Sequence, residues 1–184
     1  FFHRDGDTLW LGVDDAGIFR SDDHGASWQP VVGLNEHPAR HTWNAGGGGL
    51  CAHHMMTAGD RLWVGISAAG LLASEDGGAT WERRDGGIRS LAGPEDEPFE
   101  GACVHGVVAD ADNPDLIWRQ DHSGVYRTED GGRSWQVTER GLPTCFGFPI
   151  ARDTASGNLF VVPLAADVNR VPVDGRMRAY RSTD

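Results

Sequence analysis

Cysteine is scarce in this sequence of 184 residues: Cys51, Cys103 and Cys145 are the three, an odd number. Two of them recur in the matching phrases LCAHH and ACVHG. Residues at equivalent places in successive repeats stand further apart than the ~7 Å between Cα atoms that a disulfide tolerates. A disulfide framework is therefore argued against, and reduced thiols in a reducing, cytoplasmic compartment are expected. Long apolar runs are also missing. None approaches the ~20 residues of a membrane span, and no signal peptide is visible. Secretion stays open, because the sequence reads as though it starts inside a repeat. Basic side chains are few, 16 against 27 acidic, for a net charge of −11. That balance disfavours a phosphate backbone or an anionic membrane as partner, so neither nucleic acid nor membrane is expected. Helical spacing does not extend beyond a turn anywhere.

What the sequence does contain is a phrase said three times. GIFRSDDHGASW spans residues 17–28, GLLASEDGGATW spans 70–81, and GVYRTEDGGRSW spans 124–135. Ser21, Ser74 and Thr128 are equivalent, and the steps between them, from 21 to 74 and from 74 to 128, are 53 and 54 residues. A further step of 54 reaches Ser182 in AYRSTD. A period near 50 residues marks a propeller or a solenoid, in which each repeat buries its faces only against its neighbours.

The second repeat shows the contents of one unit. LCAHHMMT, RLWVGIS, GLLAS and TWERR are short apolar segments separated by AGD, AAG and EDGGA, which are turn formers. Four short strands, A to D, joined by turns make one propeller blade. TLWLGV and DLIWRQ are strand B in the first and third repeats, with Trp10 and Trp63 in register. GFPIARD, NLFVVPL and MRAYRS supply strands of a fourth. The expected units are residues 1–31, 50–84, 102–138 and 147–184, all in one incomplete domain, 1–184.

The pattern Ser/Thr-x-Asp-x-Gly-x-x-Trp has a physical reading as the C–D hairpin. Asp23, Asp76 and Asp130 can accept backbone N–H bonds inside the turn, and Gly25, Gly78 and Gly132 can take positive φ. Trp28, Trp81 and Trp135 then follow as anchors, each able to bury on the order of 200 Å². Such aspartates invite a calcium or catalytic reading, but turn aspartates are ordinarily satisfied locally, so a structural role is expected.

These hairpins resemble the Asp boxes, or BNR repeats, of sialidase-like β-propellers. The whole chain is similar to bacterial BNR-repeat proteins described as sialidase-like or glycosyl-hydrolase-like, which carry phrases like GLNEHPAR (33–40), GGGGLCAHH (46–54), CVHGV (103–107), DHSGVYRTEDGG (121–132) and FGFPIA (146–151). The resemblance implies an all-β segment of about three and a half four-stranded blades, cut from a protein roughly twice as long. It also implies a glycan or other small-molecule ligand, with the remaining blades of the longer chain as partners.

Connectivity then places the function. In an up-and-down blade the A–B and C–D turns share one end, while the B–C loops and the connections to the next blade share the other. The long loops collect at that second end, where functional residues concentrate. The loop from Gln29 to Gly49 brings Asn35, Glu36, His37, Arg40, His41 and Trp43, and the loop from Glu82 to Gly101 brings Glu95, Asp96, Glu97 and Glu100. Cys51 and His53, with Cys103 and His105, start strand A at this end, and Gln120, Asp121 and His122 finish strand B there.

The candidate catalytic residues are His53, His105, Asp121 and Glu100, and the candidate ligand-binding residues are Arg40, His41, Trp43, Gln120 and His122. Three readings stay open for this mouth. Histidines and a carboxylate can hold a divalent metal, although no HExxH or CxxC spacing favours it, and no cofactor is expected. They can act as general acid and base beside a sugar. They can also simply hydrogen-bond water and backbone. Sialidase chemistry needs an arginine cluster and a Tyr–Glu nucleophile pair. The only two tyrosines, Tyr126 and Tyr180, fall on strand C core positions and the arginine segment of sialidases is absent, so true sialidase activity is not expected. The expectation is a ligand-binding propeller with glycoside hydrolase activity as its extension; the alternative is a protein-interaction or assembly-factor propeller without turnover.

Overall fold

The computed structural model describes residues 1–43, 45, 49–67, 69–89, 103–166 and 168–183. The chain is a β-propeller segment. Four antiparallel sheets follow one another in chain order, each a meander of sequential strands. The first holds β1 (Phe2–Asp5), β2 (Thr8–Gly12), β3 (Ile18–Ser21) and β4 (Gln29–Pro30). The second holds β5 (Ala52–Ala58), β6 (Arg61–Ile66), β7 (Gly70–Ser74) and β8 (Glu82–Arg83). The third holds β9 (Val104–Ala109), β10 (Ile117–Asp121), β11 (Val125–Thr128) and β12 (Gln136–Val137). The fourth has three strands, β13 (Gly147–Arg152), β14 (Leu159–Pro163) and β15 (Tyr180–Ser182). A one-turn helix α1 (Val32–Asn35) and a 3-10 turn (Pro38–Thr42) follow the first sheet, and a second 3-10 turn (Val173–Gly175) precedes β15. No described helix is long and apolar enough to cross a membrane.

Alternation along the strands explains why the sheets stack. On β6, Leu62, Val64 and Ile66 pack with Ile18 and Leu34 of the first repeat, whereas Trp63 packs with Val104 and Ile117 of the third. Successive side chains of a strand point to opposite faces, so the second sheet is buried on both. A third cluster, with Trp118, Val125, Ile150 and Val161, joins the third and fourth sheets.

The tryptophans that close the second and third C–D turns plug the seams to the preceding sheets. Trp81 joins Val31 and Leu34 of the first repeat, and Trp135 joins Leu71 of the second. The Trp135 indole N–H donates to the Arg84 carbonyl at 2.9 Å, back across that seam. Trp28, on the first sheet, has Phe2 as an edge-on ring neighbour at 6.5 Å and is only half-buried. Glycines receive the incoming turns. At Gly33 a Cβ would stand 2.3 Å from the Ala79 carbonyl oxygen, and at the equivalent Gly86 it would stand 2.3 Å from that of Arg133.

Strand register fixes the two rims. Ala52 pairs with Ile66 and Ile66 with Gly70, while Leu62 pairs with Ser74 at the other end of the second sheet. In the third sheet Val104 pairs with Asp121, while Ile117 pairs with Thr128. His53 and His105 therefore lie on the rim opposite the turns that carry Asp76 and Asp130.

Candidate functional site

The three turns are built alike and are satisfied from within. Ser21 Oγ donates to Asp23 at 2.8 Å and accepts from Gly25 N–H at 2.9 Å, while Ser27 gives Asp23 its N–H at 2.8 Å and its hydroxyl at 2.6 Å. Ser74, Asp76, Gly78 and Thr80 repeat this, as do Thr128, Asp130, Gly132 and Ser134. Gly25, Gly78 and Gly132 have φ of +89°, +96° and +94°, a left-handed conformation open to glycine. Hydrogen bonds from Ser27 and Thr80 hold the Asp23 and Asp76 carboxyls down to about 2. For Asp130 burial pushes upward, but bonds from Ser134 and Thr128 prevail and it too sits at about 2. Each carboxylate is occupied in bracing its own hairpin.

On the opposite rim, β9 and the loop after β10 bring Cys103, His105 and His122 together. One donor atom from each lies within 4.8 Å of the others. The His105 and His122 rings are 4.4 Å apart between centroids, and Phe148 stacks on His105 at 4.4 Å with 25° between planes. Phe146 meets both imidazoles edge-on, at 5.7 and 5.4 Å. His105 is 9% exposed, and its Nδ1 donates to the Gly147 carbonyl at 2.6 Å. That acceptor fixes the tautomer, leaving the lone pair on Nε2.

Asp121 and Gln120 turn inward instead. Asp121 Oδ1 accepts the Ser123 N–H at 2.6 Å, the Ser123 hydroxyl at 2.8 Å and the Gly124 N–H at 3.1 Å. Its Oδ2 faces Arg119 Nη2 at 3.2 Å. Burial pushes the Asp121 carboxyl above the usual range, against the pull of Arg119 and those hydrogen bonds. Gln120 is 1% exposed and spends its amide on the carbonyls of Asp121, Gly124 and Cys145. These two residues tie the third sheet to its own B–C loop and to the fourth sheet.

The first long loop is also packed on itself. Arg40 donates to the Ala16 carbonyl at 3.2 Å and lies 5.5 Å from the Trp43 ring, whose other neighbour is His37, stacked at 5.4 Å. His41 Nδ1 donates to the Pro38 carbonyl at 2.9 Å. Asn35 clamps the loop to β3 by exchanging hydrogen bonds with both backbone groups of Ile18, each at 2.9 Å. His53 starts β5 at the rim; burial lowers its pKa below the ordinary value, favouring the neutral imidazole. Cys51 beside it donates to Asp14 at 3.3 Å, and burial pushes its thiol up. Glu95, Asp96, Glu97 and Glu100, and Gly46 to Gly48 of the glycine run, lie outside the described residues.

Sequence reasoning placed Cys103 with His105 near the mouth without counting the cysteine among the site residues or joining it to His122, and it missed the Phe146 and Phe148 wall. The C-x-H spacing, taken with the register of the B–C loop, carried the signal. It also missed Arg119, although the equivalent positions in the other repeats, Leu11 and Val64, are apolar. A cavity of about 370 Å³ lies between the third and fourth sheets, against Val125, Leu142, Leu159 and Tyr180. None of the rim histidines lines it.

The four meandering sheets and the loops gathered on one rim define a β-propeller segment. No protein-family model matches the chain. Its sequence is 27% identical, over 130 residues, to an oligoxyloglucan-reducing end-specific xyloglucanase of Emericella nidulans, covering 70% of this chain and 15% of that protein. Among solved structures it is similar to the GH74 enzyme of Niastella koreensis, with a TM-score of 0.63, 17% identity, and coverage of 96% of this chain and 27% of that one. It is also similar to YCF48 from Cyanidioschyzon merolae, with a TM-score of 0.56, 22% identity, and coverage of 89% and 48%. The chain thus spans about a seventh of the length of the xyloglucanase relative.

Proposed function

We propose that the rim carrying His53, His105 and His122 binds a glycan, and that the complete protein is a carbohydrate-active propeller with glycoside hydrolase activity. The observation that supports it is the mixed wall of imidazole and phenyl rings at the mouth, with Phe148 half-exposed at its edge. Apolar ring faces pack on sugar rings while imidazole nitrogens hydrogen-bond hydroxyls. The 27% identity to a xyloglucanase makes β-glucan oligosaccharides the first ligands to try. Binding is the centre of the reading. Hydrolysis needs two carboxylates across the scissile bond, and Asp121 is committed to Arg119 and its own loop. We include in the proposal the assignment of the turns to the BNR class, and a reducing, cytoplasmic location for the three cysteines.

The test is calorimetric titration of the full-length protein with xyloglucan oligosaccharides and a broader glycan panel. Binding weakened severalfold by Phe148→Ala, at unchanged thermal stability, supports the reading. A panel with no binder at all would sink it. A second reading rests on the net charge of −11, which favours a cationic protein segment over a neutral sugar. Salt-sensitive capture of basic peptides, with no glycan response, would select it.

A further inference from the structure

We propose that Cys103, His105 and His122 form a binding site for a zinc-class divalent ion. This inference shares His105 and His122 with the glycan reading, but its test reads metal binding alone, so either can fail without the other. Among the described residues this is the one group of three metal-ligating side chains whose donor atoms converge, all within 4.8 Å of one another. A tetrahedral ion with Zn–S near 2.3 Å and Zn–N near 2.0 Å holds its donors roughly 3.5 Å apart, so modest side-chain rotation closes the set.

The surroundings fit a metal better than a chance cluster does. A ligating histidine ordinarily donates its other ring N–H to a carbonyl or carboxylate, which sets the tautomer and aims the lone pair. His105 does this through Nδ1 to the Gly147 carbonyl at 2.6 Å. Phe148 stacks on its face and Phe146 abuts its edge, so the ring is held in orientation and the ion would sit beside an apolar wall.

The repeat supplies an internal comparison. Ile66 pairs with Ala52 as Asp121 pairs with Val104, so Cys51 matches Cys103, His53 matches His105, and Ser67 matches His122. In the second repeat the Cys51 N–H donates to Ser67 Oγ at 2.8 Å, and the Cys51 thiol donates to Asp14 at 3.3 Å. Cys51 and Ser67 therefore occupy adjoining places, and the third repeat puts an imidazole where the second has a hydroxyl. In the fourth, the matching positions are Phe146, Phe148 and Leu164. Among the second, third and fourth repeats, the third alone has a ligating side chain at each of the three places.

A soft thiolate with two imidazoles selects zinc-like ions over magnesium or calcium. Binding takes the Cys103 proton to buffer, and three protein ligands leave a fourth position for water or an oxygen ligand at the rim.

The experiment is titration of the chelator-treated protein with cobalt(II), read as thiolate-to-cobalt charge transfer, followed by zinc competition against a chromophoric chelator. One ion per chain is expected, with the charge-transfer band lost in Cys103→Ser and affinity lowered at least tenfold in His122→Gln. Cys51→Ser serves as the control that leaves both readings unchanged, and circular dichroism of each variant confirms that it folds. Cobalt binding without a thiolate band, no binding, or wild-type behaviour of Cys103→Ser and His122→Gln would each overturn the site.

Discussion

Arg119 on β10 and Asp85 just after β8 form an ion pair that crosses the seam between the third and second sheets. The Arg119 side chain is 0% exposed and that of Asp85 8%, so both charges have left water. Asp85 is held there by its other bonds, accepting from Leu71 N–H at 3.1 Å and from Arg83 at 2.6 Å. Asp121, at 3.2 Å, is the second carboxylate facing Arg119. Removing one partner of a buried pair leaves the other uncompensated, which costs about 3–5 kcal/mol. Asp85→Ala should therefore lower stability by that order in chemical denaturation. The three changes Asp85→Leu, Arg119→Met and Asp121→Asn together, which leave neither Arg119 nor Asp121 as a buried charge without its partner, should recover much of it. A single variant as stable as the parent would show that water reaches Arg119.

Acid should loosen the C–D turns. Asp23, Asp76 and Asp130 titrate at about 2 in the fold, below the ordinary 3.8. A carboxyl whose folded pKa is depressed adds stability above its unfolded pKa and loses it as pH falls towards the folded one. The expected loss thus begins near pH 4 and runs towards pH 2. Asp121 is raised and contributes with the opposite sign. Comparing Asp76→Asn with the parent isolates the turn: the variant should be less stable at pH 6, and the gap should narrow towards pH 2 in thermal melts. A gap independent of pH would contradict the carboxylate's role.

The repeat made most of the fold legible. Gly25, Gly78 and Gly132, and the tryptophans three residues on, announce the hairpins because turn chemistry is local. The rim carrying His53 and His105 followed from connectivity alone, without any side-chain geometry. The one-turn helix α1 (Val32–Asn35) was not legible, since four residues are too few to show a 3.6-residue period. Nor was the fate of Gln120 and Asp121. Polar residues ending a strand read as mouth residues, whereas Arg119 and Asp121 lie two apart and so share a strand face, where they neutralise each other in a seam. The grouping of Cys103 with His122 depends on pairing between strands, which one blade's sequence does not spell out.

Glycine at positions 33 and 86 is a packing requirement of the blade seams. Neither has positive φ, so the constraint is contact with the next turn and not backbone conformation. Gly86 also forms an isolated parallel bridge to Ser134, and its carbonyl accepts the Trp135 N–H at 2.7 Å. A methyl at either site meets a carbonyl oxygen at 2.3 Å and must push two blades apart. Overpacking of this kind costs typically ~1–3 kcal/mol. Gly86→Ala should lower the melting temperature by roughly 2–4 °C for each kcal/mol lost, for a chain of this size. Gly59→Ala is the comparison, since nothing lies within 4 Å of its Cβ position, and its φ of +62° charges only the backbone cost.

The closing tryptophans should differ in worth according to their seams. Trp135 is 5% exposed and Trp81 8%, each wedged against the preceding sheet, whereas Trp28 is half-buried beside Phe2. Trp135 also receives the Arg119 guanidinium 5.9 Å from its ring centroid, so its loss would unpack the buried cation as well. Truncating a buried tryptophan costs about 3–5 kcal/mol through lost burial and the cavity left behind. Trp135→Ala and Trp81→Ala should each fall in that range by urea denaturation, and Trp28→Ala well below it. The ranking matters more than the sizes: equal losses at all three would mean that the tryptophans stabilise their own hairpins, and that the seams are held by something else.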